Sequence, residues 1–210
     1  MSFAFAIGLV AALGLHAQAA TVTFSTDPFA GTTALTDPGR QIVGNELFIP
    51  TFDLDNDVFA FNSAVFNVGP TLNFVTDIAA NLPTGGANVI VLQTTDNDND
   101  TGTAFGAGNA ANLIAAQVTT PGAGFFIYQN SILGLRRLVY STDLDDPTAD
   151  LKILARLLAP TGADSIATLP LFTAANFDLV TADATIPEPT TFALLGLGLM
   201  VGSLRRKARS

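Results

Sequence analysis

Between residues 20 and 182, apolar positions either alternate with polar ones or form short unbroken runs. Runs rich in β-branched and aromatic residues, bounded by Gly, Pro, Asn or Asp, predict β-strands. They cover residues 21–25, 41–49, 58–68, 72–78, 88–93, 124–128, 137–141, 166–171 and 177–180. The four residues Val89, Ile90, Val91 and Leu92 leave no polar face, so this run predicts a central, buried strand.

Two segments have helical spacing instead. In residues 109–118 the apolar side chains recur at helical intervals until a Pro-Gly pair follows. In residues 146–158, Leu151, Leu154 and Leu158 share one helical face, and two aspartates and a proline stand where a helix would begin. The pattern therefore predicts two short helices, the second of which packs its leucines into the core.

Together these elements predict one globular domain of the α+β class, mainly antiparallel β with two short helices. The domain covers residues 20–182, a length that suffices to bury one hydrophobic core. The chain contains no cysteine, so packing or a bound metal must provide the stability that disulfide bonds give many exported proteins. Residues 183–189 are predicted to link this domain to the C-terminal segment.

The N-terminal segment has the pattern of a cleaved export signal. An apolar run covers residues 3–15, and Ala17 and Ala19 follow it in an A-x-A pattern, so residues 1–19 are predicted to be a signal peptide cut after Ala19. No Lys or Arg precedes the apolar run. Either the free amino terminus supplies the positive charge, or the true start of the reading frame lies upstream of Met1.

The C-terminal segment carries three features in succession. Pro187, Glu188 and Pro189 come first, and an unbroken apolar stretch then covers residues 190–204. As a helix this stretch is about 22 Å long, against roughly 30 Å for the hydrocarbon core of a membrane, so it predicts a marginal transmembrane helix. The tail of residues 205–210 predicts a membrane stop on the cytoplasmic side, which leaves the domain on the exported side. The basic residues of this stop are Arg205, Arg206, Lys207 and Arg209.

A Pro-Glu-Pro motif, a short glycine-containing apolar helix and an arginine-rich end together resemble the PEP-CTERM sorting signal of Gram-negative bacteria. The resemblance implies Sec-dependent export, a precursor anchored in the inner membrane, and an exosortase that removes the tail near the Pro-Glu-Pro motif. It places the mature protein at the cell surface or in an exopolysaccharide-rich matrix. Residues 137–145, 148–156 and 172–177 resemble segments of uncharacterised PEP-CTERM proteins, a likeness that implies no activity.

Composition excludes several classes of function. Of 9 basic and 18 acidic side chains, 4 basic ones and Glu188 lie in the C-terminal signal, so residues 20–186 have a net charge of −12. Nucleic-acid binding needs clustered Lys and Arg and is excluded. The only histidine, His16, lies in the predicted signal peptide, so Ser-His-Asp and Cys-His catalysis and His-ligated zinc are excluded for the mature body. Pairs of aspartates could still serve glycoside hydrolysis.

One acidic loop has the composition of a cation site. Asp96, Asp98 and Asp100 alternate with asparagines, as in short loops that converge hard oxygens on calcium. The loop is not an EF-hand, because Thr101 stands at the sixth position, where that motif has Gly. The same alternation recurs in residues 53–57. The alternative for both loops is a solvated turn between strands, which Asp and Asn favour on backbone grounds.

Four basic residues of the body form two groups, which could face an anionic polysaccharide or pair with the surplus carboxylates. They are Arg136 with Arg137, and Lys152 with Arg156. The sequence thus predicts a non-enzymatic surface or exopolysaccharide-matrix protein with a structural or binding role, exosortase as its processing partner and calcium as its one candidate cofactor. The alternative is a secreted carbohydrate-active hydrolase, which two aspartates about 5–10 Å apart in a cleft would favour.

Overall fold

Two β-sheets and the helix α1 (Ala107–Ala115) stack as three layers in the computed structural model, which describes residues 19–181. The strands of this part of the chain are β1 (Thr21–Phe24), β2 (Ile42–Val43), β3 (Leu47–Ile49), β4 (Val58–Asn62), β5 (Phe74–Asp77), β6 (Val89–Leu92), β7 (Gly124–Asn130), β8 (Leu135–Ser141), β9 (Leu151–Leu157) and β10 (Phe177–Val180). The α-helices are α1 (Ala107–Ala115) and α2 (Gly162–Ala167), and short 3-10 turns lie at Ala79–Asn81, Leu169–Leu171 and Ala174–Asn176.

The strand pairing is mostly parallel. The small sheet has the order β1-β4-β10, and both of its pairs are parallel. The large sheet has the order β2-β9-β8-β7-β6-β5, with β3 also pairing with β9, and only β7–β8 and β8–β9 are antiparallel. The prediction of a mainly antiparallel domain was therefore wrong. Most strands are joined by long connections, as in the passage from β6 through α1 to β7, and these allow parallel neighbours.

A phenylalanine-rich core fills the space between the two sheets. Phe59 and Phe61 of β4 are fully buried, and the Phe61 ring stacks on Phe125 of β7 with centroids 3.8 Å apart. The hydroxyl of Tyr140 donates a hydrogen bond of 2.8 Å to the carbonyl of Phe66. Each fully buried phenylalanine contributes roughly 1.5–3 kcal/mol relative to an exposed one, so these rings hold the small sheet in place.

The other face of the large sheet is covered by α1, which confirms the helix predicted for residues 109–118. Ala110, Ala111 and Ile114 point from α1 into a second core, where they meet Phe126 and Tyr128 of β7. Small alanine side chains let the helix lie close to the sheet. The predicted burial of the run Val89–Leu92 is confirmed too, because all four residues of β6 are buried between β5 and β7.

The helix predicted for residues 146–158 was wrong, because this segment contains strand β9. A β-bulge interrupts the pairing of β8 with β9, where Val139 faces Ile153 but Leu138 faces Ala155. Leu154 is the extra residue, so side chains on either side of it point to opposite cores. Leu151 packs in the core against α1 and Leu154 packs in the core between the sheets, so a strand buried on both faces produces the apolar spacing of a helical face. Leu151 and Leu154 are buried as expected, whereas Leu158 is 38% exposed.

The second short helix lies further along the chain. It is α2, followed by a 3-10 turn, and these occupy the region predicted as a strand over residues 166–171, so that strand prediction was wrong. The predicted strand 41–49 is split into β2 and β3 by Asn45, whose φ of 67° no regular strand can hold. The predicted strand 58–68 stops at Asn62, whose side-chain oxygen accepts the backbone N–H groups of the turn that follows.

Candidate functional site

A cleft of about 340 Å³ opens at the carboxyl ends of the parallel strands β6 and β7. The acidic loop of residues 93–106, which follows β6, forms one wall. The β7–β8 turn and the start of α2 form the other sides. In open sheets with parallel strands, ligands characteristically bind outside these carboxyl ends. The cleft is therefore the strongest candidate for a ligand-binding site.

Gln129, near the end of β7, provides the base of the cleft. It is 3% exposed, and its side-chain oxygen accepts a 2.7 Å hydrogen bond from the hydroxyl of Ser165 in α2. Gln129 lines the cleft, and the nitrogen of its side-chain amide is a hydrogen-bond donor. Beside it, the Ser131 hydroxyl oxygen accepts a 2.8 Å bond from the backbone N–H of Phe105, which fixes the acidic loop against the β7–β8 turn.

The acidic loop is a chain of consecutive turns, each closed by an aspartate. The Asp96 carboxylate accepts the backbone N–H of Asp98 at 3.0 Å, Asp98 accepts that of Asp100 at 3.0 Å, and Asp100 accepts that of Gly102 at 2.9 Å. These bonds are the local reason for the alternating aspartates. The N–H of Asp100 and the Thr103 hydroxyl hold the pKa of Asp98 below its usual value, so this carboxylate stays charged.

The structure brings only part of the predicted calcium site to the cleft. Asp96 and Asp100 line it together with Thr95, Thr101 and Thr103. Across residues 19–181, no three His, Cys, Asp or Glu side chains form a group that could hold a metal ion. Calcium binding by Asp96, Asp98 and Asp100 stays a prediction, and it requires the loop to rearrange so that the three carboxylates converge.

The second acidic loop, residues 53–57, joins strands instead of lining this cleft. The two carboxylate oxygens of Asp57 accept the backbone N–H groups of Ala20 at 2.8 Å and Asp53 at 2.9 Å. The side-chain amide of Asn176 donates to the carbonyls of Leu54 and Asp57. The loop thus ties together the segments that lead into β1, β4 and β10. Its alternating aspartates serve the fold.

Glu46, the only glutamate of the body, gathers two of the predicted basic residues. Its carboxylate accepts Arg137 at 2.6 Å and Arg156 at 2.5 Å. Burial raises the pKa of Glu46, but a backbone hydrogen bond and the two arginines outweigh burial and bring that pKa below its usual value. Lys152 donates to the carbonyl of Gly44. Of the four basic residues, Arg137 and Arg156 thus pair with a carboxylate, whereas Lys152 contacts a backbone carbonyl.

Sequence reasoning missed Gln129 and Ser165, because neither residue belongs to a motif and they lie far apart in the chain. Several predicted features fall outside residues 19–181, and the structure does not bear on them. They are the signal peptide with Ala17, the motif Pro187, Glu188 and Pro189, the apolar stretch 190–204, and the basic residues Arg205, Arg206, Lys207 and Arg209. Ala19, at the predicted cleavage point, is exposed. Of the helices in the described part of the chain, none is long and apolar enough to cross a membrane.

Comparison with known proteins adds one match. Residues 185–207 match the family model of the PEP-CTERM protein-sorting motif. No curated protein and no solved structure matches the chain. The matched segment contains the Pro-Glu-Pro motif and the start of the basic tail, so the resemblance seen in the sequence is confirmed. The motif at residues 185–207 identifies the chain as a PEP-CTERM exosortase substrate and implies export with sorting to the membrane or cell surface.

Proposed function

We propose that the folded domain is a non-enzymatic binding module of the exopolysaccharide matrix, which holds a neutral glycan in the cleft between the acidic loop, the β7–β8 turn and α2. The Sec machinery exports it from a Gram-negative cell, and the inner membrane holds it until exosortase acts. The observation that carries the proposal is the buried amide of Gln129, fixed by Ser165 at the base of a cleft at the carboxyl ends of parallel strands.

The chemistry of the cleft suits sugar hydroxyl groups, which both donate and accept hydrogen bonds. Asp96 and Asp100 supply acceptors and the Gln129 amide supplies donors, while Ile166, 41% exposed, offers an apolar contact for the C–H face of a sugar ring. A volume of about 340 Å³ lies at the small end of ligand sites. The glycan is neutral, because the two carboxylates and the net charge of the body repel an acidic one.

The alternative hydrolase would use Asp96 and Asp100 as its carboxyl pair. A glycoside hydrolase needs one carboxyl group that keeps its proton in order to donate it to the leaving oxygen. Asp96 and Asp100 instead close turns of the acidic loop, where each accepts a backbone N–H. This local role explains both carboxylates without a catalytic function and supports binding without hydrolysis.

Affinity electrophoresis of the purified protein through gels containing dextran, or exopolysaccharide from its host, tests the proposal. The protein should be retarded in at least one of these gels, and Gln129→Met and Asp100→Ala should abolish the retardation. Asp55→Ala, which removes an exposed carboxylate from the other acidic loop, is the matched control and should behave as the unchanged protein. Equal migration of all variants in every gel would refute glycan binding in the cleft, and release of reducing ends would favour the hydrolase.

Mass spectrometry of the protein isolated from its host tests the sorting steps separately. We expect Ala20 at the N-terminus and loss of residues 205–210. Cells that lack exosortase should retain the C-terminal tail. Intact termini in wild-type cells would contradict both processing steps without affecting the cleft.

A further inference from the structure

Arg136 of β8 is buried, and none of the carboxylates in the described part of the chain forms an ion pair with it. It is 1% exposed, and one terminal nitrogen of its guanidinium donates a 2.6 Å hydrogen bond to the carbonyl of Ala159. The guanidinium carbon lies 5.6 Å from the centre of the Phe172 ring. The Nε atom has no hydrogen-bond partner within residues 19–181. Burial lowers the pKa of Arg136 to about 10, so the side chain still carries its charge at neutral pH.

An isolated buried charge is costly unless it is paired and hydrogen-bonded. A carbonyl and an aromatic face satisfy Arg136 only in part, because neither carries a full negative charge. The other arginines of the described chain have different partners: Arg137 and Arg156 each donate one bond to the Glu46 carboxylate, and Arg40 donates to two backbone carbonyls and the Asn112 side chain. Arg136 is the most deeply buried of these arginines, and no carboxylate within residues 19–181 pairs with it.

Arg136 lies beside a cavity of about 430 Å³. The carbonyl that its guanidinium contacts belongs to Ala159, and the next residue, Pro160, lines this cavity. Four of the lining residues are apolar: Phe52, Leu54, Pro160 and Leu171. Leu171 stands 58% exposed in the lining, so an apolar group can reach the interior from solvent.

The two aspartates at this cavity do not neutralise Arg136. Asp53 uses one carboxylate oxygen to accept the backbone N–H of Asp55 at 3.0 Å and the other to accept the Asn56 side chain at 2.8 Å. Within residues 19–181, neither Asp53 nor Asp55 forms an ion pair with Arg136. They place negative charge near the cavity, which opposes every anion and opposes a dianion more strongly than a monoanion, so the attraction of Arg136 must outweigh this repulsion.

We propose that this cavity binds the carboxylate of a small organic monoanion, with the guanidinium of Arg136 as its counter-charge. The planar guanidinium matches carboxylate geometry, and the apolar walls accept the hydrocarbon part of the ligand. The ligand is a free acid with an apolar body or a uronic acid unit of a glycan, which share the carboxylate. The proposal does not rest on the glycan cleft, because the two cavities share no lining residue.

Thermal unfolding of the full chain at pH 7 tests the proposal, with sodium hexanoate, sodium glucuronate and sodium sulfate as probes at constant ionic strength. A ligand that binds only the folded state raises the melting temperature. Hexanoate should raise it by a few degrees, and the same rise with glucuronate alone would identify a uronic acid as the source of the carboxylate. Equal rises with sulfate would show a general salt effect and overturn the proposal, as would no rise with either carboxylate.

Two variants and their controls locate the effect. Arg136→Met should abolish the rise, whereas Arg137→Met, on the opposite face of the same strand, should keep it. Leu171→Glu places a repelling charge in the cavity lining and should also abolish the rise, while Leu171→Gln keeps it. Because Leu171 is exposed, this pair remains informative if Arg136→Met fails to fold. An unchanged rise in Leu171→Glu or in folded Arg136→Met would refute binding at this cavity.

Discussion

Arg136 and Arg137 are neighbours on β8, yet they meet opposite environments. Successive residues of a strand point to opposite faces, so the two guanidiniums are separated by the sheet itself. Arg137 contacts the carboxylate of Glu46, which also binds Arg156. The guanidinium of Arg136 donates to the Ala159 carbonyl and lies over the face of Phe172. Within residues 19–181, a carboxylate neutralises Arg137 but none pairs with Arg136.

The different partners of the two arginines separate a charge that has a structural role from a charge that a ligand could neutralise. The Glu46 pair joins the loop before β3 to β8 and β9, so its role is complete without any other molecule. Arg136 is more deeply buried than Arg137, and its one hydrogen bond goes to a backbone carbonyl instead of a carboxylate. Two adjacent arginines look equivalent in the sequence. Only their partners in the structure show which of the two could bind a ligand.

Among the substitutions that test this comparison, Glu46→Gln should cause the largest loss in the free energy of unfolding. The substitution leaves Arg137 and Arg156 without a negative partner, and hydrogen bonds to charged groups contribute roughly 1.5–3 kcal/mol each where they are protected from water. Both arginines are partly exposed, so we expect a loss of about 2 kcal/mol in the free energy of unfolding, measured with urea at pH 7. Asp37→Asn, at an exposed position, is the control; a loss below about 0.5 kcal/mol in Glu46→Gln would contradict the role of the pair.

Low pH should remove most of the difference in the free energy of unfolding between the unchanged protein and Glu46→Gln. The pKa of Glu46 is lower in the folded state than in the unfolded one, so its contribution is present above the unfolded pKa and is lost as pH falls through the folded pKa. The gap in stability between the unchanged protein and Glu46→Gln should be full at pH 6–7 and narrow steadily below about pH 4.5. Urea unfolding at several pH values measures it. A gap that stays constant down to pH 3 would show that the charge of Glu46 is not involved.

Replacing each arginine by methionine compares the two directly. Arg137→Met should cost about 1 kcal/mol, because Glu46 keeps Arg156 as a partner. Arg136→Met should be neutral or stabilising, since methionine removes a buried charge and retains most of the apolar stem. Urea unfolding without added carboxylate gives both values. If Arg136→Met proves the more damaging of the two, Arg136 is already compensated within the protein.

The smallest effect concerns the unpaired carboxylates of the acidic loop. If Asp96, Asp98 and Asp100 bind calcium weakly, calcium at a concentration equal to its dissociation constant should stabilise the protein by about 0.4 kcal/mol. Extracellular sites of this kind bind in the range of about 10⁻⁴ to 10⁻³ M, so millimolar calcium is the right probe. The rise in melting temperature should vanish when Asp98 becomes Asn and Asp100 becomes Ala. Identical melting curves with calcium and with chelator would leave the chain of turns as the whole explanation.

Local patterns predicted most of the strands and α1, because β-branched runs and helical spacing depend on nearby residues only. Local patterns failed for β9, because this strand is buried on both faces and its apolar residues therefore do not alternate with polar ones. The parallel pairing was not predictable, because it depends on which distant strands meet. The short helix α2 has too few apolar positions to show a period.

Of the residues that form the candidate cleft, only those in a single loop could be predicted from the sequence. Asp96 and Asp100 stood out as an alternating acidic pattern, and both line the cleft. Gln129 and Ser165 lie 36 residues apart, and only the packing of α2 against the end of the large sheet joins them. Arg136 and Arg137 likewise differ because one contacts Ala159 and the other contacts Glu46, and these two partners are distant from each other in sequence.

The small sheet has a mechanical consequence. Its outer strands are the first and last of the described chain, β1 and β10, and both run parallel to β4 between them. Tension applied through the two ends of the domain would pull β1 and β10 in opposite directions along β4. All the inter-strand hydrogen bonds would then be loaded in shear together, instead of opening one after another as in a peeled hairpin. If the domain were held at both ends in a matrix under flow, the pulling force would act on the small sheet in the direction in which its hydrogen bonds resist it best.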